Sequence, residues 1–500
     1  MKNLKYIIFM LALVFSANSC QKFEDLEADP NRSTTVPPSL ILRGITRDMY
    51  YEPWNSEAQY CQYFCVNYFY YGNNSYWSGA ANLRYTTLKN VVKMEDEASK
   101  LGLPSVNAYT ALGKFFRAYF YYDMTMRMGD LPLSQALKGS DNIAPAYDTQ
   151  KDIFKQILKW LDESNTDLAA RIAVADVSIQ GGGYDIYFDG DLKKWQKAVN
   201  AFKLRVLAQL SKKDADGDLN IKNEFSRIVG SPAQFPLPTG NEDNLSFKYN
   251  SSTDKYPTNP DNFGFDALRD NLSATHVSLL TRLKDPRTFV TVEPASYYAD
   301  TLGYGAADFR SYVGAPYDES LDAMTTKAQG GKYSLIRRDR YYKNYTAEDC
   351  IQIGYPEMCF NIAEGIQRGW ASGSAADWYA KGITASMKFY DLTDATVLGN
   401  YLAQPDVALK SGNDGITQIL EQKYIALFQH SGLESYFTWR RSGVPGFTQG
   451  VGTGNSGVIP RRYQYPTSER DNNTANYKAA LTRQFNNTED NINSKLWIEQ

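Results

Sequence analysis

Histidine is almost missing from this sequence: His276 and His430 are the only two among 500 residues. They stand far apart with no local Cys or Asp partner, so the usual zinc spacings cannot be built. Neither G-x-S-x-G, H-E-x-x-H nor a phosphate-binding glycine loop occurs. Each histidine therefore reads as a surface or core residue rather than a catalytic one. Long apolar runs are also scarce. Tyr6 to Phe15 is unbroken for ten residues, roughly half of what a spanning helix needs, and no later segment approaches that length. A basic excess is lacking too, with 53 Lys and Arg against 56 Asp and Glu. That balance removes nucleic acid and anionic lipid from the expected partners. What remains is the composition of a soluble globular chain, 43% hydrophobic and 22% charged, long enough for several domains or one large helical array.

Lys2, Lys5, the apolar run and Ser16-Ala17-Asn18-Ser19 read together as an export signal over residues 1–19. A cysteine directly after small residues suggests lipoprotein processing, with Cys20 acylated as the first mature residue, although Ala17 stands where Leu is usual. Ordinary secretory cleavage after Ser19 is the alternative and leaves the same first residue. Gln21 to Glu27, a lysine followed by acids, resembles the tag that sends lipoproteins to the cell surface in Bacteroidetes. Cleavage takes Lys2 and Lys5 from the 53 basic groups and no acid from the 56, so the mature chain is slightly acidic. Four cysteines stay: Cys61, Cys65, Cys350 and Cys359. On a helix Cys61 and Cys65 would sit about 6 Å apart at Cβ, beyond the roughly 3.5 to 4.5 Å of a bridge. Buried thiols are expected, with Cys350 to Cys359 the least strained bridge if one forms.

Helix dominates the pattern. Apolar residues step by three and four through Ala108 to Met126, Ile153 to Leu161, Trp195 to Leu210, Tyr355 to Ile366, Trp378 to Phe389 and Ile416 to Leu427, each the mark of a buried stripe. Gly369 to Ser374 joins two of them through a tight turn. Such pairs, repeated every 35 to 40 residues or so, resemble tetratricopeptide hairpins without the full repeat signature. Pro232–Ser252, Tyr256–Gly264, Val290–Tyr345 and Gly443–Asn476 are rich in Gly, Pro, Asn, Ser and Tyr and show no helical period. Long loops of this kind usually carry function.

Two acids could still do hydrolytic chemistry. Glu357 and Glu364 lie two turns apart on one predicted helix face, about 10 Å along the axis, near the upper limit for an inverting glycosidase. Pairing with Arg440 and Arg441 is the structural alternative and the favoured one. The real excess is aromatic: 37 Tyr and eight Trp. Flat rings stack on sugars or serve protein interfaces, so composition favours binding over catalysis.

Asp29-Pro30-Asn31, Val36-Pro37-Pro38, Ala111-Leu112-Gly113, Arg117-Ala118 and Met128-Gly129-Asp130-Leu131-Pro132 begin an ordered series of motifs. Pro145 to Gln150, Asp191, Trp195, Asn200 and Lys203-Leu204-Arg205 continue it. Asp285-Pro286-Arg287, Glu357 to Glu364, Gly369-Trp370, Gln422-Lys423, Trp439 to Gly443, Ile459 to Arg462 and Tyr465-Pro466 complete it. On these residues the chain resembles the SusD/RagB family of outer-membrane nutrient-binding lipoproteins, in its SusD-like branch. Met128 replaces the usual aromatic residue before Gly-Asp, and Pro356 replaces Ala near a helix start, where a missing N–H is tolerated.

The resemblance implies a mainly α fold: a right-handed superhelix of tetratricopeptide-like helix pairs with a large loop-rich ligand-binding face. One domain over 20–500 is expected, with its frame at about 45–215 and 350–442 and insertions at about 216–349 and 443–480. It also implies an oligosaccharide or peptide ligand, attachment to the cell surface of the outer membrane by lipid alone, and a SusC-like TonB-dependent barrel as partner. No enzymatic activity and no cofactor are implied, although the acidic and Asn-rich stretches could hold a structural Ca²⁺. A secreted glycoside hydrolase on a helical scaffold, and a protein scaffold without nutrient ligand, are the alternatives.

Cys61 to Gly79 packs eight aromatic side chains into nineteen residues. Ala58, Cys61, Cys65 and Tyr68 predict the buried stripe of one helix that Gly72 ends. Beyond it Tyr71, Asn73, Asn74, Tyr76 and Trp77 are candidate ligand residues, with Tyr256, Tyr297, Tyr298, Tyr304 and Tyr312 for the opposing wall.

Overall fold

The computed structural model describes residues 35–68, 74 and 79–500. Numbering the helices of eight residues or more, α1 (Pro38–Asp48), α2 (Tyr85–Lys100), α3 (Ala108–Met128), α4 (Gln150–Ala173), α5 (Leu192–Gln209) and α6 (Ile221–Gly230) each pack on the next. α7 (Ala274–Arg282) and α8 (Leu321–Gln329) belong to a loop-rich layer. α9 (Tyr355–Gln367) then returns against α5, and α10 (Ala375–Phe389) and α12 (Gly412–Ala426) pack on α9, with α11 (Ala395–Leu402) between these two in sequence. α13 (Glu434–Ser442) and α14 (Thr474–Phe485) follow. The fold is mainly α, as predicted.

Local chemistry starts these helices where the apolar stripes begin. The Asn107 side-chain oxygen Oδ1 accepts from Thr110 N–H while the Thr110 hydroxyl accepts from Asn107 N–H, each at 3.0 Å, a reciprocal cap for α3. Thr149, Asp191 and Ser374 cap α4, α5 and α10. Pro356 lies in the first turn of α9. Gly382 lets α10 approach α9: a Cβ there would meet the Phe360 ring at 2.8 Å. The stripes feed one continuous apolar core that runs from α1 to the C-terminal segment.

The family-like motifs turn out to be the polar joints of this frame. Asp130 accepts from Gln150 N–H at 2.8 Å and pairs with Arg483, fixing the end of α3 to the start of α4. Trp195 donates its indole N–H to Asp185 at 2.6 Å. Arg205 of α5 donates from Nε to Glu357 of α9 at 2.8 Å, and Lys423 of α12 approaches the same carboxylate at 3.7 Å. Arg287 donates to Asp285, Ser386 and Gln422 with no exposed surface. Charges buried this deeply persist only when paired and hydrogen-bonded.

Among the described residues two short antiparallel ribbons stitch the loop layer to the frame. β1 (Phe64–Val66) pairs with β3 (Asp270–Leu272) in the register Cys65 to Asn271, and β2 (Leu245–Phe247) pairs with β4 (Cys350–Ile353). The predicted helix through Ala58, Cys61, Cys65 and Tyr68 is not formed. A five-residue helix, Ser56–Tyr60, is followed by Gln62 at φ +55°, and the chain leaves as β1. Asn55 caps the start of that helix, and the left-handed Gln62 cannot continue it, so one turn is all it has. The core role of Cys61 and Cys65 holds, whereas Tyr68 is exposed. Among the described residues Cys61, Cys65, Cys350 and Cys359 are buried free thiols. The segments without helical period also hold more helix than predicted: α8 lies inside Val290–Tyr345, and Thr467–Asn472 and the start of α14 lie inside Gly443–Asn476.

Candidate ligand-binding site

A pocket of about 1110 Å³ opens in the loop layer, just above the usual range for small-molecule sites. Its floor is the β1–β3 ribbon, extended by chain pairing of Asn271 with Leu335 and of Val292 with Ile336. Asn67 follows β1 and donates to the Asn271 side-chain oxygen and to Leu268 O at 3.2 Å. Asn271 in turn donates to Ser334 O at 3.3 Å, so two buried amides lock the floor.

One wall is a turn of π-helix, Tyr297–Thr301, preceded by Ser296. Insertions of this kind recur at functional sites. The turn rests on Gly331, whose carbonyl accepts from Tyr297 N–H at 3.0 Å. Gly331 has φ +67°, and a Cβ there would lie 2.2 Å from Ser296 Oγ and 3.3 Å from Tyr297 N, so glycine is required by both conformation and proximity. The opposite wall carries Tyr68 with the Arg269 guanidinium 3.9 Å from its ring centroid.

The charged groups at the mouth are bound to one another. Arg338 donates from Nε to Glu293 Oε2 at 2.7 Å and from Nη2 to Oε1 at 2.5 Å. Arg337 grips Asp339 in the same forked way at 2.5 and 2.9 Å. Hydrogen bonding from Arg337 holds the Asp339 carboxyl below its ordinary value, against a smaller opposing effect of burial. Asp339 is thus an ionised partner and not a proton donor.

The sequence candidates distribute unevenly around this pocket. Tyr297 and Tyr298 sit on the π turn, edge to face at 5.3 Å, with the Lys332 ammonium 5.1 Å over Tyr297. Tyr304 is exposed beneath the Arg310 guanidinium at 4.3 Å. Their neighbours Ser296, Ala299, Asp300 and Ala306 line the cavity itself. Tyr312 is buried behind it and donates to Ala306 O at 2.7 Å. Tyr256 belongs elsewhere, 1% exposed and accepting from the Trp54 indole at 2.9 Å. Asn74 is 2% exposed: its oxygen accepts from Val66 N–H at 2.6 Å and its nitrogen donates to Val66 O at 3.0 Å. That amide does the work of a neighbouring strand on the outer edge of β1. Tyr71, Asn73, Tyr76 and Trp77 lie outside the described residues, as does Cys20.

Sequence reasoning missed Asn67, Arg269, Glu293, Arg337 and Arg338. They come from separated segments with no shared motif; the one available signal was the Arg-rich run Arg337 to Arg340 inside a loop-rich stretch. The two acids suspected of hydrolysis are frame residues. Burial would raise both, but Arg205 and Lys423 pull Glu357 down, and Arg441 with Arg368 holds Glu364 at about 2. Burial drives both histidines down to about 3 and keeps them neutral; His276 stacks on Phe428 at 4.4 Å. Among the described residues no group of three or more His, Cys, Asp or Glu is placed to hold a metal, and no helix is long and apolar enough to cross a membrane.

A helical frame bearing a wide polar and aromatic pocket, with its conspicuous acids consumed in ion pairs, is the layout of a ligand-binding protein. The chain belongs to the SusD-like family described as starch-binding associating with outer membrane, whose model matches residues 30–466. It is 30% identical to each of two solved SusD homologues from Bacteroides fragilis, covering 93% of this chain and all of theirs with TM-scores of 0.82 and 0.80. A chitin-binding SusD homologue from Flavobacterium johnsoniae shares the fold at 19% identity and TM-score 0.69, over 93% of this chain and 96% of that one. No curated protein matches.

Proposed function

We propose that this protein captures an oligosaccharide in the pocket floored by the β1–β3 ribbon and delivers it to a TonB-dependent outer-membrane barrel on which it sits as a lid. The pocket carries this reading: Tyr68 and Arg269 offer a flat stacking surface, and the Gln329 amide and Ser296 hydroxyl match the donors and acceptors of a sugar. Lipid attachment at Cys20 would hold the protein at the cell surface. Family membership supports the outer-membrane setting, and the chitin-binding relative supports a glycan over a peptide.

Isothermal titration against malto- and chito-oligosaccharides and a peptide panel tests the proposal. Binding of a glycan that weakens at least about tenfold in Tyr68→Ala or Arg269→Ala, with unchanged circular dichroism, is the expected result. Trp77→Ala should cost several-fold if the aromatic stretch reaches the ligand. Silence toward every glycan, together with no barrel co-purifying from outer membranes, would sink it.

A further inference from the structure

The pocket is built from charges yet presents none in excess. Arg269, Arg337 and Arg338 line it together with Glu293, Asp300 and Asp339, three of each sign. An arginine left open in such a site would bind a carboxylate strongly, because its planar fork donates to two oxygens at once. Here the Nε and Nη2 edges of Arg337 and Arg338 already hold both oxygens of Asp339 and Glu293. A ligand carboxylate would have to displace a bound carboxylate and then sit beside it.

Glu293 is well placed for this task. It is three-quarters buried at its side chain, its backbone N–H is tied to Leu335 O at 2.8 Å, and its carboxylate also accepts from Arg338 N–H at 3.3 Å. The pair is therefore fixed in the wall and not a mobile surface contact. The uncharged groups remain for recognition: the side chains of Ser296 and Gln329 and the carbonyl of Gly330.

Resting on the proposed function, we propose that Glu293 and Asp339 are charge-selectivity residues: they neutralise Arg338 and Arg337 so that the pocket takes uncharged sugars and refuses uronic ones. Losing both acids should turn the same pocket into a site for carboxylated glycans.

The test uses maltoheptaose and chitohexaose beside their counterparts oxidised to carboxylates at C6, titrated calorimetrically into the full mature protein. Wild type should bind a neutral form, lose at least about tenfold on oxidation, and keep its affinity between low and high salt, since no net charge pairs with the ligand. Glu293→Gln/Asp339→Asn should gain on the order of tenfold for the oxidised form, in a salt-sensitive manner. Adding Arg338→Gln and Arg337→Gln to that variant should erase the gain, which separates freed guanidinium from general loosening. Wild type preferring the oxidised sugar, or a folded double variant that gains nothing, overturns the charge reading and leaves glycan binding standing. Wild type binding neither sugar in either form counts against the proposed function and this inference together.

Discussion

His276 has no hydrogen-bond partner on either ring nitrogen and lies between Tyr63, Tyr424 and Phe428, so it is stable there only as the neutral ring. Its value of about 3 lies below the usual 6.5, and His430 matches it. The unfolded chain therefore binds more protons than the folded one below pH 6.5, and stability falls as the solution is acidified. At pH 5 each histidine should cost on the order of 2 kcal/mol relative to pH 7. Glu364 acts in the same direction at lower pH, because its folded value of about 2 lies below 4.5. Glu348 opposes: burial lifts it to about 7 against the nearby Arg340, so its contribution is complete below 4.5 and fades as pH rises through 7. A His276→Phe variant isolates one component. Its unfolding free energy in urea should fall by about 2 kcal/mol less than wild type between pH 7 and pH 5; equal falls would show that the histidine can be protonated in place.

At the scale of elements, the π turn and α8 meet at Gly331, and the pocket wall depends on that meeting. Gly331→Ala forces a side chain into the left-handed region at about 1 to 2 kcal/mol and into contact with Ser296. The Ser296 hydroxyl can rotate away, but the backbone conformation cannot be relieved. Sugar affinity should fall several-fold while the far-ultraviolet spectrum keeps its helical form; an unchanged affinity would show that the wall tolerates displacement. Helices such as α3, α4 and α9 were legible in sequence because their stripes run for three turns or more, and α3 and α4 also start at capping side chains. α8 was not, since Leu321, Met324 and Ala328 make a short stripe inside a Gly- and Tyr-rich stretch. β1 was misread because Cys61 and Cys65 keep helical spacing by coincidence, and three residues are too few to show alternation. The pocket was the least legible, because its polar residues are brought together from segments near 67, 270, 295, 330 and 338 by pairing that no local pattern encodes.

Across the whole molecule the four thiols report on cooperativity. Cys61 and Cys65 anchor the start of the loop layer, Cys350 lies in β4 and Cys359 in α9. Burial raises all four, Cys359 to about 12, so none is a reactive thiolate at neutral pH. In the native mature protein they should resist iodoacetamide, and mass spectrometry across a urea series should find all four alkylated in one step at the global transition. Separate labelling of Cys65 or Cys350 at lower urea would show that the loop layer opens independently of the frame.

Asn74 closes the outer edge of β1. So short a strand would otherwise leave the N–H and C=O of Val66 open on the side away from β3, the kind of edge on which a second chain can pair. The buried amide occupies both groups, so the ribbon beneath the pocket offers no open rung at Val66, and protection from edge-to-edge aggregation there rests on one residue.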